Sequence, residues 1–151
     1  MKKANILRIL AIVAVLVMAS MTAGCLSSKI EVKYGGTTID VEQGVALTGK
    51  FTFTLTGWLA GGIYDTLQVA WMAGEDPIAP ATGESYLFTD FSVPIHPLQK
   101  TGELDIADLE ILPTESLEAP GAPELTEVWF TFTGTGLGLP ELIVKVPVAS
   151  F

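Results

Sequence analysis

Apolar residues recur at every second position along most of the chain that follows Lys29. A period of two places successive side chains on opposite faces of a strand, whereas a helix would require a period near 3.6. The intervening positions are mostly threonine or charged residues, as expected for strands with one buried face. The pattern predicts antiparallel strands, and it is clearest at Ile30/Val32/Tyr34, Phe51/Phe53/Leu55, Leu67/Val69/Trp71, Val128/Phe130/Phe132 and Val144/Val146/Val148.

Weaker versions of the same pattern predict further strands at 37–41, 45–47, 86–93 and 104–112. In the last of these, Ala107 and Asp108 break the alternation, which indicates a β-bulge, with a short helix as the alternative. Turn signals rich in glycine and proline separate the runs, at Gly35-Gly36, Gly61-Gly62, Asp76-Pro77, Thr82-Gly83 and Thr101-Gly102.

The length of 151 residues favours a single folded domain, which we place at 30–151. Short strands separated by frequent turns predict an all-β fold, an antiparallel β-sandwich that is immunoglobulin-like in architecture, with a small barrel as the alternative. The Cys…Trp…Cys pattern of true antibody-type domains is absent, because the sequence has one cysteine. The expected likeness is therefore one of architecture alone.

Two segments echo each other, FTFTLTG at 51–57 and FTFTGTG at 130–136, and they are identical at six of seven positions. The flanking sequences do not repeat, so we predict no duplicated domain. Both segments are expected to point phenylalanine inward and threonine outward. An exposed threonine ladder that binds a regular surface, such as a glycan or a mineral, is the alternative function for this pattern.

The N-terminus has the layout of a secretory signal. Lys2 and Lys3 precede an uncharged apolar stretch from Ile9 to Met18, and the small residues Ala19 and Ser20 follow it. That stretch is shorter than the ~20 residues of a membrane-spanning helix. An uncleaved anchor extending to Leu26 is the alternative.

The segment Met21-Thr22-Ala23-Gly24-Cys25 resembles the lipobox of prokaryotic membrane lipoproteins, and the resemblance covers residues 1–25. It implies that residues 1–24 are removed and that Cys25 carries a diacylglycerol on its sulfur as the mature N-terminus. It also implies attachment to the cell membrane on its extracytoplasmic side. An ordinary signal peptide that ends near a cysteine is the alternative.

A short tether, residues 25–29, would join the lipidated Cys25 to the folded domain. At ~3.4 Å per residue it reaches about 14 Å, which keeps the domain close to the membrane. From Cys25 onward the chain has 17 acidic residues against five lysines and no arginine, a formal charge of −12. Such a body is repelled by anionic headgroups and is unsuited to nucleic acid, so the predicted membrane attachment depends on the anchor.

The residues needed for catalysis are scarce. A serine or threonine nucleophile needs a base, and the one histidine, His96, lies between Pro94 and Pro97, where a structural role in a tight turn is expected. Zinc and copper sites need more histidine or cysteine ligands. We therefore predict that the protein is not an enzyme and needs no cofactor. A hydrolase that uses His96, Glu103 and Asp108 is the least favoured alternative.

Nine acidic residues and no basic residue lie between Gly102 and Val144. Solvation of a surface and of a long loop at 113–126 is the expected role of these carboxylates. A calcium site at Asp105, Asp108 and Glu110 is a weaker alternative, since calcium prefers oxygen ligands from loops.

Trp129 and Thr131 form the candidate binding surface. If Val128, Phe130 and Phe132 point inward, both residues point outward, although the 113–126 loop is expected to cover the tryptophan. The predicted function is a surface lipoprotein with a non-catalytic module that binds a surface protein or a glycan. The alternative is a structural subunit that assembles when its first strand, starting at Lys29, pairs with the sheet edge of a neighbouring copy.

Overall fold

A computed structural model of the chain describes residues 28–79 and 86–151. The predicted signal segment at 1–24 and the lipidation site at Cys25 lie outside the described residues, and of the predicted tether only Ser28 and Lys29 are inside them. Within the described ranges, no helix has the length and apolar character needed to cross a membrane.

The regular secondary structure of the described residues is almost entirely strand, with two single turns of 3₁₀ helix at Ile106–Leu109 and Glu115–Leu117. The strands are β1 (Lys29–Tyr34), β2 (Ile39–Asp40), β3 (Lys50–Thr56), β4 (Gly61–Ala73), β5 (Asp76–Pro77), β6 (Leu87–Phe88), β7 (Val93–Ile95), β8 (Thr101–Asp105), β9 (Glu127–Leu137) and β10 (Leu142–Ser150). The prediction of an all-β fold is confirmed.

The strands are arranged in two open sheets. The smaller sheet has the order β1-β3-β8 and is antiparallel throughout. The larger sheet has the order β2-β10-β9-β4-β5, and β6 and β7 also pair with β4. Its pairs are antiparallel except for β2 and β10, which run parallel. This short parallel pair at one edge departs from the wholly antiparallel arrangement that the alternation predicts.

Four phenylalanines from the two echoed segments meet in the core, two from β3 and two from β9. The ring of Phe51 lies 5.0 Å from that of Phe130 and 5.1 Å from that of Phe132, centroid to centroid. Phe53 packs edge-on against Phe132 at 5.1 Å. All four rings are fully buried. The smaller sheet is thus packed on the larger one through the two matching sequences, each with its phenylalanines inward as predicted.

A β-bulge keeps the apolar side chains of the long strand β4 directed into the core. The pairing register with β9 shifts between Tyr64 and Thr66, because β4 has one extra residue there. Residues after the bulge therefore point to the face opposite to the one that strict alternation would give them. Tyr64 and Leu67 are therefore both buried although three positions separate them. The Tyr64 hydroxyl donates a hydrogen bond of 2.9 Å to the Pro140 carbonyl, and burial raises the pKa of this phenol to about 12.

Three of the weaker strand predictions need correction. The strand predicted at 37–41 is reduced to β2, and the one predicted at 86–93 is replaced by two separate short strands, β6 and β7. The strand predicted at 45–47 is wrong. Leu47 is buried there, but its N–H donates to the Ile111 carbonyl at 2.8 Å outside any strand.

The bulge predicted within 104–112 is also wrong, and the helical alternative is correct. Strand β8 ends at Asp105, whose carboxylate accepts a hydrogen bond of 3.1 Å from the Ala107 N–H. This cap begins the 3₁₀ turn Ile106–Leu109, as short polar side chains commonly do at helix starts. Ile106 turns into the core, and Glu110 ends the turn in the left-handed conformation at φ 51°.

The acidic loop at 113–126 is anchored to the core. Its carboxylates at Glu115, Glu118 and Glu124 are exposed, as expected, whereas Leu117 and Leu125 are buried. Thr114, also buried, caps the second 3₁₀ turn through a hydrogen bond of 3.2 Å from the Ser116 N–H to its hydroxyl. The loop is thus a structured cover over one part of the core.

Close approach of β4 and β9 at one position leaves no room for a side chain. A Cβ on Gly134 would lie 2.9 Å from both the Ile63 carbonyl carbon and the Tyr64 Cα, which are backbone atoms of the neighbouring strand. We expect Gly134→Ala to lower the free energy of unfolding by about 3 kcal/mol, near the upper end of typical overpacking costs. Urea denaturation followed by circular dichroism measures this change.

Gly44→Ala is the matched control, because Gly44 has φ +74° but no atom within 4 Å of a Cβ added there. Its expected cost is the backbone strain alone, about 1 kcal/mol. Equal costs for the two variants would contradict the close approach of β4 and β9.

Candidate functional site

The outer face of the larger sheet presents Trp129 at its centre. Val128 and Phe130 are fully buried, so Trp129 between them points away from the core, as the alternation predicts. Pairing places Ala70 of β4 on one side of the tryptophan and Lys145 of β10 on the other. Since Ala70 is small, the indole has room to lie across the sheet surface.

Two charged neighbours hold the indole of Trp129. Its Nε1–H donates a hydrogen bond of 2.7 Å to a carboxylate oxygen of Glu127. The ammonium of Lys145 lies over the ring, 3.9 Å from the centroid, within the range of a cation–π interaction. Trp129 is half-buried as a result. Lys145 covers one face of the ring, and Thr126, at the end of the 113–126 loop, borders the same surface depression as the tryptophan.

Trp129 borders an open, shallow depression of about 460 Å³. Gly74 and Glu75, in the turn between β4 and β5, line one part of the depression. The Gly74 N–H donates a hydrogen bond of 2.8 Å to the hydroxyl of Thr126, which also lines it. Glu127 and Lys145 give the depression one charge of each sign. An aromatic ring flanked by opposite charges suits a protein surface with a complementary pair of charges.

Thr131 lies two positions further along β9, on the same outer face as Trp129. Its pairing partners are Gln68 of β4 and the exposed Ile143 of β10. The structure therefore brings both predicted binding residues onto one surface. Lys145 and Glu127 complete that surface. The proximity of Lys145 depends on the β9–β10 register, which the sequence pattern does not specify, whereas Glu127 lies two residues before Trp129 on the same strand and could have been selected from the alternation.

The threonines of the two echoed segments lie on opposite sides of the molecule. Thr131 and Thr133 are on the outer face of the larger sheet, and Thr52 and Thr54 are on β3 of the smaller sheet. A single continuous threonine ladder is therefore not formed by these positions. A regular glycan or mineral surface would therefore contact only one of the two rows of threonines at a time.

His96 is part of a tight turn, as expected. Its backbone pairs with Gln99 in both directions, at 3.1 and 2.8 Å, around Pro97 and Leu98. Its Nδ1 accepts a hydrogen bond of 3.3 Å from the Leu98 N–H, which engages the ring nitrogen nearest the backbone. The side chain thus supports the turn that joins β7 to β8.

The acidic candidates are not brought together. Among the described residues no group of three or more His, Cys, Asp or Glu side chains is arranged to hold a metal ion. Asp105 uses its carboxylate to cap the first 3₁₀ turn, while Asp108 and Glu110 are exposed. Asp108 and Glu110 border one surface depression, and the calcium site considered from sequence stays a prediction. Glu103 instead meets Lys50 across the β3–β8 pair at 3.5 Å.

Comparison with known proteins gives no family assignment: no protein-family model matches the chain, and neither a curated protein nor a solved structure shows significant similarity to it.

Proposed function

We propose that the protein is a membrane lipoprotein, held on the extracytoplasmic side of the cell membrane by Cys25, whose folded domain is a non-catalytic binding module. The sequence MTAGC before the mature chain supports the anchor. Strand β1 begins at Lys29, only four positions after Cys25, so the domain must lie within ~14 Å of the acylated cysteine. The domain would therefore bind its partner close to the membrane surface.

We further propose that the domain is an immunoglobulin-like β-sandwich. Two open sheets that share one aromatic core support this architecture. In such domains, binding residues on a rigid sheet keep a fixed geometry, because the backbone beneath them is hydrogen-bonded on both sides. Trp129 on the central strand β9 has that support from β4 and β10.

The observation that carries the binding proposal is the half-exposed indole of Trp129 between Glu127 and Lys145. A large aromatic side chain held in place by two neighbours loses little entropy on binding, and tryptophan is enriched at the centres of interfaces. Lys145 occupies the ring face on which a sugar would stack. This arrangement favours a surface protein over a glycan as the partner.

Strand β1 is paired within its own domain. A subunit that assembles by strand exchange would have to release this strand. All six residues of β1 pair with β3, and Ile30 is buried in the core. Releasing β1 would expose that apolar surface and six residues of paired backbone. This packing favours the binding module over assembly by strand exchange.

Site-specific photocrosslinking in intact cells tests the binding proposal. We replace Thr131, beside Trp129, with a photoreactive phenylalanine analogue and irradiate the cells. A defined adduct larger than the monomer is expected, and it should disappear when Trp129→Ala is combined with the probe, because the aromatic anchor is then lost.

Thr54 provides the matched control position. It is an exposed, outward-facing threonine of the other echoed segment, and it lies on the smaller sheet. We expect no such adduct from a probe at Thr54. Recovery of monomer alone from both positions, or the same adduct from both, would contradict a binding surface at Trp129.

A further inference from the structure

Three connections between strands, together with the strand ends beside them, converge at one end of the domain: residues 57–61 where β3 leads into β4, residues 96–100 between β7 and β8, and residues 136–140 where β9 leads into β10. Gly61 pairs with Leu137, and a Cβ on Gly61 would lie 3.3 Å from the His96 Cβ. The ammonium of Lys100 lies over the Trp58 ring, 4.4 Å from its centroid. We call these three segments together the loop end.

The loop end exposes large apolar side chains. Leu98 and Leu137, with 89% and 75% of their surface exposed, are the most exposed large apolar residues in the described part of the chain. Trp58 and Leu59 are about half exposed beside them, at 56% and 47%. Turns of soluble domains are usually polar, so apolar side chains at the tips of three neighbouring connections mark an interaction surface.

The charge of the loop end is opposite to that of the rest of the domain. Its three segments, GWLAG, HPLQK and GLGLP, contain no acidic residue and one lysine, Lys100, in a chain with 17 acidic residues. Lys29, the first residue of β1, pairs with Thr56 directly before the first segment and forms an ion pair of 2.7 Å with Glu31. Glu141 follows the third segment.

The chain leaves toward Cys25 from this same end. The Leu59 N–H donates a hydrogen bond of 2.7 Å to the Ser28 hydroxyl, which fixes Ser28 against the first segment. Ser28 is three positions after Cys25, and a fully extended chain of that length spans at most about 10 Å. A lipid on Cys25 would therefore enter the bilayer close to Trp58 and Leu59.

We infer that the loop end is a membrane-docking surface, which seats Trp58, Leu59, Leu98 and Leu137 in the headgroup region of the bilayer that holds the acyl chains of Cys25. The inference rests on the lipid anchor of the proposed function. Tryptophan favours this interfacial zone, and Lys100 can reach the headgroups while its stem stays in apolar surroundings. Repulsion between the acidic body and anionic lipids favours the same orientation, with the loop end nearest the membrane.

This orientation places the Trp129 surface away from the membrane. Leu137 lies eight positions after Trp129 on β9, a distance of about 26 Å at ~3.3 Å per residue. The candidate binding surface is then open to a partner above the headgroups. Docking and binding therefore use different ends of the same strand.

Fluorescence quenching by brominated lipids tests the docking surface. The full protein, purified from membranes, is reconstituted into vesicles of phosphatidylcholine and phosphatidylglycerol at 3:1, with bromine on the acyl chains of the phosphatidylcholine. We expect the bromine to quench tryptophan emission in wild-type protein and in Trp129→Phe, and Trp58→Phe to lose most of the quenching. Quenching that is unchanged in Trp58→Phe would overturn the docking surface.

The double variant Leu98→Asp/Leu137→Asp gives an independent reading, since both side chains are exposed and the fold does not depend on them. It should stay on the vesicles through Cys25 yet lose the quenching of Trp58, whereas Leu87→Asp, at an exposed leucine of β6, should keep it. Retained quenching in the double variant would overturn the inference. Protein that fails to float with the vesicles would overturn the anchor itself, so the two failures are distinguishable.

Discussion

Phe132→Ala should lower the free energy of unfolding by about 3–5 kcal/mol, the cost of removing a buried phenylalanine ring and leaving a cavity. Phe132 is fully buried and contacts the rings of both Phe51 and Phe53, whereas Phe130 of the same strand contacts Phe51, so Phe132 makes two of the three ring contacts between β9 and the smaller sheet. The total free energy of unfolding of a domain of this size is about 5–15 kcal/mol. The variant is therefore expected to lose a large part of this stability, with thermal and urea midpoints well below those of wild type.

Thr131→Ala is the control for this prediction, because Thr131 is on the same strand but faces outward. Its expected effect is within about 0.5 kcal/mol. Phe132→Leu should fall between the two, since leucine fills part of the cavity. A Phe132→Ala protein as stable as wild type would mean that the two sheets are not packed through these rings.

Cys25→Ser should abolish retention of the mature protein at the membrane through a lipid. If the signal is still cleaved, the protein is expected in the medium or the soluble extracytoplasmic fraction; if it is not, an uncleaved precursor should accumulate in the membrane. Two acyl chains, at ~0.8 kcal/mol per buried CH₂, provide stable anchoring that the acidic domain does not. Fractionation followed by immunoblotting distinguishes these products.

Ser27→Ala is the matched control, since it changes a nearby small residue and leaves Cys25 in place. It should fractionate with wild type. A Cys25→Ser protein that is processed to the mature length and still remains on the membrane would contradict anchoring through the cysteine. In that case the loop end would have to hold the protein without a lipid.

The strands that could be predicted are those in which several alternating residues are strongly apolar. In β3 and β9 the alternation of phenylalanine and threonine determines which side chains face the core, since a shift by one residue would bury the threonines. Contact between Phe51 and Phe132 was not predictable, because these residues are 81 positions apart and periodicity describes one strand at a time. The outward direction of Trp129 followed from its neighbours on β9.

The wrong predictions arose where short apolar runs are held by contacts from elsewhere. At 45–47 a three-residue pattern resembles a strand, but the backbone of Leu47 pairs with Ile111. At Asp105 a side chain that accepts from the Ala107 N–H begins a 3₁₀ turn, and a local cap of this kind overrides the alternation. In β4 the strand forms although its alternation is interrupted, because a bulge after Tyr64 keeps the apolar residues inward.

The features that carry the functional proposals depend on topology. Lys145 lies over Trp129 because of the β9–β10 register, and β10 is joined to β9 by a connection whose length the alternation does not specify. Trp58, Leu98 and Leu137 look like isolated apolar residues in turns when the sequence is taken alone. They form one surface because β4 pairs with both β7 and β9.

Mass spectrometry of the N-terminal peptide of the protein isolated from membranes tests the central claim most directly. We predict a mature chain that begins at Cys25 and carries a mass increment of a diacylglycerol on the cysteine. A free thiol at Cys25 in a chain that begins at Met1 would contradict it and indicate a signal anchor, and a chain that begins beyond residue 25 would contradict it and indicate a secreted protein.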